Sequence, residues 1–181
     1  MNYHNILHDD MVNGDGLRVT LFVSGCNHYC KDCHNPQTWD PNEGISFDQD
    51  AIDEIFMYLS KDYISGVTLT GGDPLYPQNR KEIFELVRRI KTVFGNTKNI
   101  WMYTGYEWEE IKDLPLISFV DVLVDGQFDI NRKDSKLHFV GSSNQNIIDV
   151  KKSIETGEKV LYIIQDTDIE PDKSIKTPCE K

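Results

Sequence analysis

The run Leu17-Arg18-Val19-Thr20-Leu21-Phe22-Val23 is rich in β-branched and apolar residues and ends on Ser24-Gly25-Cys26. Such a run reads as a strand stopped by glycine. It hands the chain directly to Cys26-Asn27-His28-Tyr29-Cys30-Lys31-Asp32-Cys33-His34. Three thiolates spaced C-x3-C-x2-C can reach one metal centre from a single loop. The same pattern recurs downstream. A strand over 66–70 stops at Gly71-Gly72-Asp73-Pro74, one over 99–104 leads into Gly105, and one over 120–124 ends at Asp125-Gly126.

Helical periodicity fills the gaps. Ser46 and Gln49 have the spacing of a capping box, and Ile52, Ile55, Phe56 and Leu59 follow at helical intervals. Ile83, Leu86, Val87, Ile90 and Phe94 give an apolar stripe over 78–94, closed by Gly95. A short helix is expected at 108–111 and another at 144–156, closed by Gly157. Further strands are expected at 137–140 and 160–164. Strands alternating with helices imply a parallel α/β sheet. A complete eight-unit barrel needs about 250 residues, so this chain of 181 residues is expected to form a partial, open (β/α) barrel. Ligands of such folds lie beyond the C-terminal strand ends, where all four glycine-bearing motifs fall. Residues 1–164 read as the folded domain and 165–181 as a polar, mobile tail.

Composition sets limits on function. The formal net charge of −11 argues against wrapping nucleic acid, which needs a basic footprint. No apolar run approaches the roughly 20 residues of a membrane span, and the first residues lack the pattern of a signal peptide. The chain reads as cytoplasmic, where clustered cysteines point to metal or catalysis rather than disulfides. The one other cysteine, Cys179, stands near the chain end and reads as an incidental thiol.

The loop therefore offers three ligands and no obvious fourth. Electron-transfer clusters usually have four cysteines, whereas an open position lets a metal site take part in chemistry. A zinc loop completed by His28 or His34 is the alternative reading; it lacks a distant second ligand pair. Gly71 and Gly72 allow the backbone to approach a ligand closely, although a tight strand-to-helix turn would use the same residues, with Asp73 as a turn residue.

Taken together, the C-x3-C-x2-C loop and Gly71-Gly72-Asp73-Pro74 resemble the radical S-adenosylmethionine (SAM) enzymes. Val12-Asn13-Gly14-Asp15-Gly16, Leu69 through Asn79, Tyr103-Thr104-Gly105-Tyr106, Val122 through Gly126 and Gly141-Ser142-Ser143-Asn144-Gln145 extend the resemblance. They are similar to the activating proteins of anaerobic (class III) ribonucleotide reductases. The resemblance implies a partial barrel of the radical SAM type and a [4Fe–4S] cluster on Cys26, Cys30 and Cys33. It further implies SAM held by Asp32, Cys33, His34, Gly71, Gly72 and Asp73. A low-potential donor such as flavodoxin would reduce the cluster. Reductive cleavage of SAM would give methionine and a 5′-deoxyadenosyl radical. That radical would take a hydrogen atom from a glycine of the large reductase subunit, leaving a glycyl radical. No further catalytic residue is implied. Asp15, Asp32 and Val140 stand where relatives often have proline, an aromatic residue and arginine.

Two rival readings are an activase for another glycyl-radical enzyme, such as pyruvate formate-lyase, and a zinc-binding adaptor without catalysis. His4, His8 and His138 read as surface or packing residues, and Trp39, Trp101 and Trp108 as core or rim. Tyr103 fits either the core or the nucleoside end of SAM. Asp121 and Asp125 fit either a pocket or a strand end, and 13–16 either a turn or part of a groove.

Overall fold

The computed structural model describes residues 1–164; the predicted tail and Cys179 lie outside the described residues. The strands form one open seven-stranded sheet in the order β3-β1-β2-β4-β5-β6-β7. Its centre is the predicted parallel set: β2 (Arg18–Val23), β4 (Gly66–Gly71), β5 (Asn99–Tyr103) and β6 (Val122–Asp125). The edges are antiparallel. β1 (Asn2–Asp10) pairs β2, β3 (Ile45–Ser46) pairs β1, and β7 (Asn146–Asp149) pairs β6. The fold is thus mixed α/β rather than purely parallel.

Period-two alternation decides what each face carries. Val19, Leu21, Val23, Val67, Leu69, Ile100, Met102 and Leu123 point into one buried core. The helices α1 (Gln49–Leu59) and α2 (Arg80–Phe94) cover it with Ile55, Leu59, Ile83, Leu86, Val87 and Ile90. Trp101, Val122 and Val124 belong to a second cluster with Tyr103, Phe139 and Tyr162. Arg18, Thr20 and Thr68 are buried polar residues at the alternate positions of β2 and β4.

Arg18 organises that second face. Its Nε donates to Thr68 Oγ1 (2.7 Å), Nη1 to the Asp15 carbonyl (2.8 Å) and Nη2 to the Val67 carbonyl (2.8 Å), while the guanidinium stacks over Trp101. Burial pushes its pKa down to about 10, against partial support from Tyr103, Asp15, Tyr162 and Asp10. Beside it, Asp10 accepts from Val12 N (2.7 Å), Asn13 Nδ2 (2.5 Å) and Thr20 Oγ1 (2.7 Å). Burial pulls the Asp10 carboxyl up, but these hydrogen bonds outweigh it and leave the carboxyl below its usual range. A carboxyl lowered in the folded state stabilises fully above its ordinary pKa of about 3.9 and ceases to do so as pH falls through the folded value. Asp10→Asn is therefore expected to flatten the acid limb of thermal stability below about pH 4. Melting curves of the two proteins across that range check it.

Several local expectations are corrected. Ser46 does not cap α1, because it is engaged as a strand residue opposite Asn2. Asp48 is the cap, accepting from Asp50 N and Ala51 N; Asp48→Ala should lower stability by about 1 kcal/mol in urea unfolding. The helix expected at 144–156 is only α4 (Val150–Thr156): its first residues pair with β6 as β7, and Asp149 caps it. Residues 137–140 form a bend rather than a strand, with Phe139 at φ 59 packed edge-on against Trp101. Residues 160–164 make a single bridge, Leu161 to Ile148, with two flanking hydrogen bonds, short of a strand. The predicted short helix α3 (Trp108–Ile111) is present.

Candidate functional site

Parallel pairing puts the C-terminal ends of β2, β4, β5 and β6 on one edge of the sheet. A cleft of about 510 Å³ opens there, lined by Cys26, Cys30 and Cys33 together with Gly71, Gly72, Thr104, Gly105 and Gly126. Four segments far apart in sequence thus meet at one site. Val12, Asn13, Tyr103 and Phe139 line it as well.

The cysteine loop is tied to its neighbours through the backbone. Gly25 N donates to Thr38 O (2.7 Å), Cys26 N to Trp39 O (3.0 Å) and Cys33 N to Cys30 O (3.2 Å). Tyr29 and Asp32 both take positive φ, 48° and 58°, an uncommon conformation for residues other than glycine. All three thiols are free and half-buried. Burial pushes Cys26 up to about 11; a hydrogen bond from the His28 backbone opposes this, and Asp73 with the other two thiols adds to it. Burial also raises Cys30, despite a hydrogen bond from the Phe128 backbone. A metal cation would reverse this effect at Cys26 and Cys30, since a coordinated thiol is deprotonated outright. Among the described residues, no three His, Cys, Asp or Glu side chains converge as a single metal ion requires. An iron–sulfur cluster asks less convergence, because each thiolate takes a different iron. His28 holds Asp73 through Nε2 at 2.7 Å, a bond that a zinc-ligating Nδ1 would also allow; the lack of three converging donors among the described residues is what weighs against zinc. The donors fit a three-cysteine cluster better than zinc.

The Gly71-Gly72 turn lies against this loop. Gly72 N donates to Val23 O and Asp73 N to Gly25 O, both at 2.8 Å. A Cβ on Gly72 would sit 2.5 Å from the Gly25 carbonyl oxygen. Gly72→Ala is therefore expected to push the turn off the cysteine loop, lowering stability by roughly 1–3 kcal/mol and weakening ligand binding at the cleft. Urea unfolding and ligand titration check the two effects separately.

Most predicted site residues line this cleft: Cys26, Cys30, Cys33, His34, Gly71, Gly72 and Asp73. Asp32 is exposed and is not among the lining residues. Asp121 and Asp125 prove to be structural. Asp121 pairs with Lys91 (2.5 Å) and Lys151 (2.8 Å) and accepts from Ile100 N. Asp125 accepts from Trp108 N and from Asn146, joining the end of β6 to α3 and β7. Trp101 and Trp108 are core residues, while Trp39 lines the cleft. Three residues that lie within the quoted motifs had no individual role assigned from the sequence. Asn79 Nδ2 donates to Ser24 O (2.7 Å) and Asp73 O (3.2 Å). Thr104 Oγ1 donates to Asp73. Gln145 holds the Gly126 and Gly141 loops together. Thr104 carries a positional signal, a small polar residue beside Gly105 at the end of β5; Asn79, just before α2, and Gln145, just before β7, carry none of that kind.

A half-buried cysteine triplet and a glycine turn that line one cleft define a candidate iron–sulfur protein. Residues 12–148 match the family described as "4Fe-4S single cluster domain". The chain is 49% identical over 147 residues to the anaerobic ribonucleoside-triphosphate reductase-activating protein of Enterobacteria phage T4, covering 81% of this chain and 93% of that protein. It is 44% identical over 151 residues to the protein of that name from Vibrio cholerae, covering 81% and 97%. With that from Escherichia coli K12 it shares 44% over 149 residues, covering 80% and 96%. The chain belongs to the 4Fe-4S single cluster domain family and, within it, to the anaerobic ribonucleoside-triphosphate reductase-activating proteins.

Proposed function

We propose that this protein is a radical SAM activase that installs a glycyl radical on an anaerobic ribonucleotide reductase. The observation that carries the reading is the single cleft shared by three thiols and the Gly71–Gly72 turn. That arrangement supplies cluster ligands and a close backbone surface side by side. The edge-on grouping of parallel strand ends is what an open, partial barrel of the radical SAM type requires.

A bound cluster would supply the electron for reductive cleavage of SAM to methionine and a 5′-deoxyadenosyl radical, and hydrogen-atom transfer from a glycine of the large reductase subunit would then leave 5′-deoxyadenosine and a glycyl radical. The chain's own residues hold and shield these groups. Cys26, Cys30 and Cys33 would ligate the cluster, with no fourth cysteine of the loop to complete the set. Cys33, His34 and the Gly71–Gly72 turn, with Asp73 behind it, form the surface for the methionine part of SAM; Asp32 acts through the turn it makes. Phe128, Phe139 and Val140, with Trp39, line the cleft with apolar surface that excludes water. A low-potential donor such as flavodoxin reaches the cluster from outside, and the work proceeds in the cytoplasm, where thiols stay reduced.

Anaerobic reconstitution tests this reading. It should yield about four irons with matching sulfide, and the reduced protein should convert SAM to 5′-deoxyadenosine. Zinc alone in anaerobically purified protein, with no SAM cleavage after iron and sulfide are supplied, would overturn it.

A further inference from the structure

The Asp73 carboxylate lies at the floor of the cleft, yet its hydrogen-bonding capacity is already spent within the protein. A carboxylate offers about four lone-pair sites. Asp73 Oδ1 accepts from Leu75 N (2.7 Å) and Thr104 Oγ1 (3.0 Å). Oδ2 accepts from His28 Nε2 (2.7 Å) and Gly105 N (3.0 Å), with Thr104 Oγ1 shared at 3.0 Å. The carboxylate side chain is 1% exposed and the His28 ring 9%. No lone pair is left for the ammonium group of an amino-acid ligand.

The partners come from three segments. His28 belongs to the cysteine loop, Leu75 to the turn after Gly72, and Thr104 and Gly105 to the end of β5. The His28 ring is fixed from two other sides. It meets Tyr106 edge-on, with centroids 4.7 Å apart. A Cβ on Gly105 would lie 2.5 Å from ring atom Cδ2, so only glycine lets the ring reach Asp73.

We infer that His28 and Asp73 form a clasp that sets the cysteine loop against the Gly71–Gly72 turn, and that Asp73 positions the ligand-binding backbone instead of contacting the ligand. This rests on the reading of the cleft as a SAM site. His28 and Asp73 are positioning residues. Cutting the clasp at either end releases the same alignment.

The test is a double-mutant cycle in the anaerobically reconstituted full chain, with His28→Ala, Asp73→Asn and the double variant. Iron content, KM and kcat for SAM cleavage are read, together with the change SAM makes in the paramagnetic resonance signal of the reduced cluster. His28→Ala is expected to keep its iron and to raise KM about tenfold, a loss within the range of contact couplings, with kcat changed much less. The double variant should be no worse than the worse single one, and His28→Gln, whose Nε2 can still donate, should recover most of the loss. The clasp is overturned if His28→Ala binds SAM as the parent does, or if the two single effects multiply. Asp73→Asn failing alone while His28→Ala is silent would return Asp73 to direct ligand contact. The same cycle is also read by urea unfolding of the metal-free full chain, where coupling between the two changes is expected and strict additivity contradicts the clasp. If the parent protein cleaves no SAM, the functional reading fails, and the unfolding cycle still decides the clasp.

Discussion

Cys30→Ala protein, reconstituted without oxygen, is expected to lose the brown iron–sulfur chromophore and to cleave SAM at least roughly a hundredfold more slowly than the parent. Outer-shell partners of metal ligands alone cost 10–100-fold, and Cys30 is proposed as a ligand itself. With Cys26 and Cys33 it shares a half-buried position in one loop, and it lines the same cleft as the glycine turn. The two histidines of the loop have other contacts: Nε2 of His28 is bound to Asp73, and the His34 ring packs near Phe128. The same outcome is expected for Cys26→Ala and Cys33→Ala. Cys179→Ala, outside the described residues, should retain both chromophore and cleavage. Iron analysis and chromatography of 5′-deoxyadenosine measure the two losses. Full activity in Cys30→Ala would remove the basis for a three-cysteine cluster.

The second large effect concerns the fold. Arg18→Ala should destabilise the protein by about 3 kcal/mol or more, since it strands buried acceptors that cost 1–3 kcal/mol each. The side chain is fully buried. Its loss would leave Thr68 Oγ1 and the carbonyls of Asp15 and Val67 without their charged donor, and would open a void beside Trp101. For a chain of this size that amounts to a fall in Tm of roughly 6–12 °C. Arg18→Lys should recover only part of it, because a single ammonium cannot reproduce the planar fork. Thr68 also donates to Asn13 O (2.7 Å), so the loss is expected to loosen the cleft-lining segment at Val12 and Asn13. Calorimetry of the three proteins measures the effect. A change in Tm of a degree or less would show that the buried network contributes little.

The central strands and the cysteine loop were legible because they are local. Each strand is a short apolar run stopped by glycine, and parallel pairing alone is enough to bring the four motifs to one edge. The missed pieces depend on partners remote in sequence. β1 went unread because register shifts between Tyr3 and Asn5 and again between Leu7 and Asp10 break its alternation. β7 looked helical because Ile147, Val150 and Ile154 sit at helical spacing, and only pairing with β6 makes Asn146–Asp149 extended. The short strand at Ser46 exists only because β1 lies alongside it. In the site, the thiols and glycines could be named from spacing. That the Asp73 carboxylate is enclosed by His28, Thr104 and Gly105 could not, since those residues meet only after the sheet is assembled.

The most direct test of the account combines the reduced protein, SAM and the large subunit of an anaerobic ribonucleotide reductase without oxygen, followed by electron paramagnetic resonance. The account predicts a glycyl radical on the reductase, with the α-hydrogen of that glycine recovered in 5′-deoxyadenosine when it is labelled with deuterium. SAM cleavage that leaves no radical on the reductase and no deuterium in the nucleoside would contradict it.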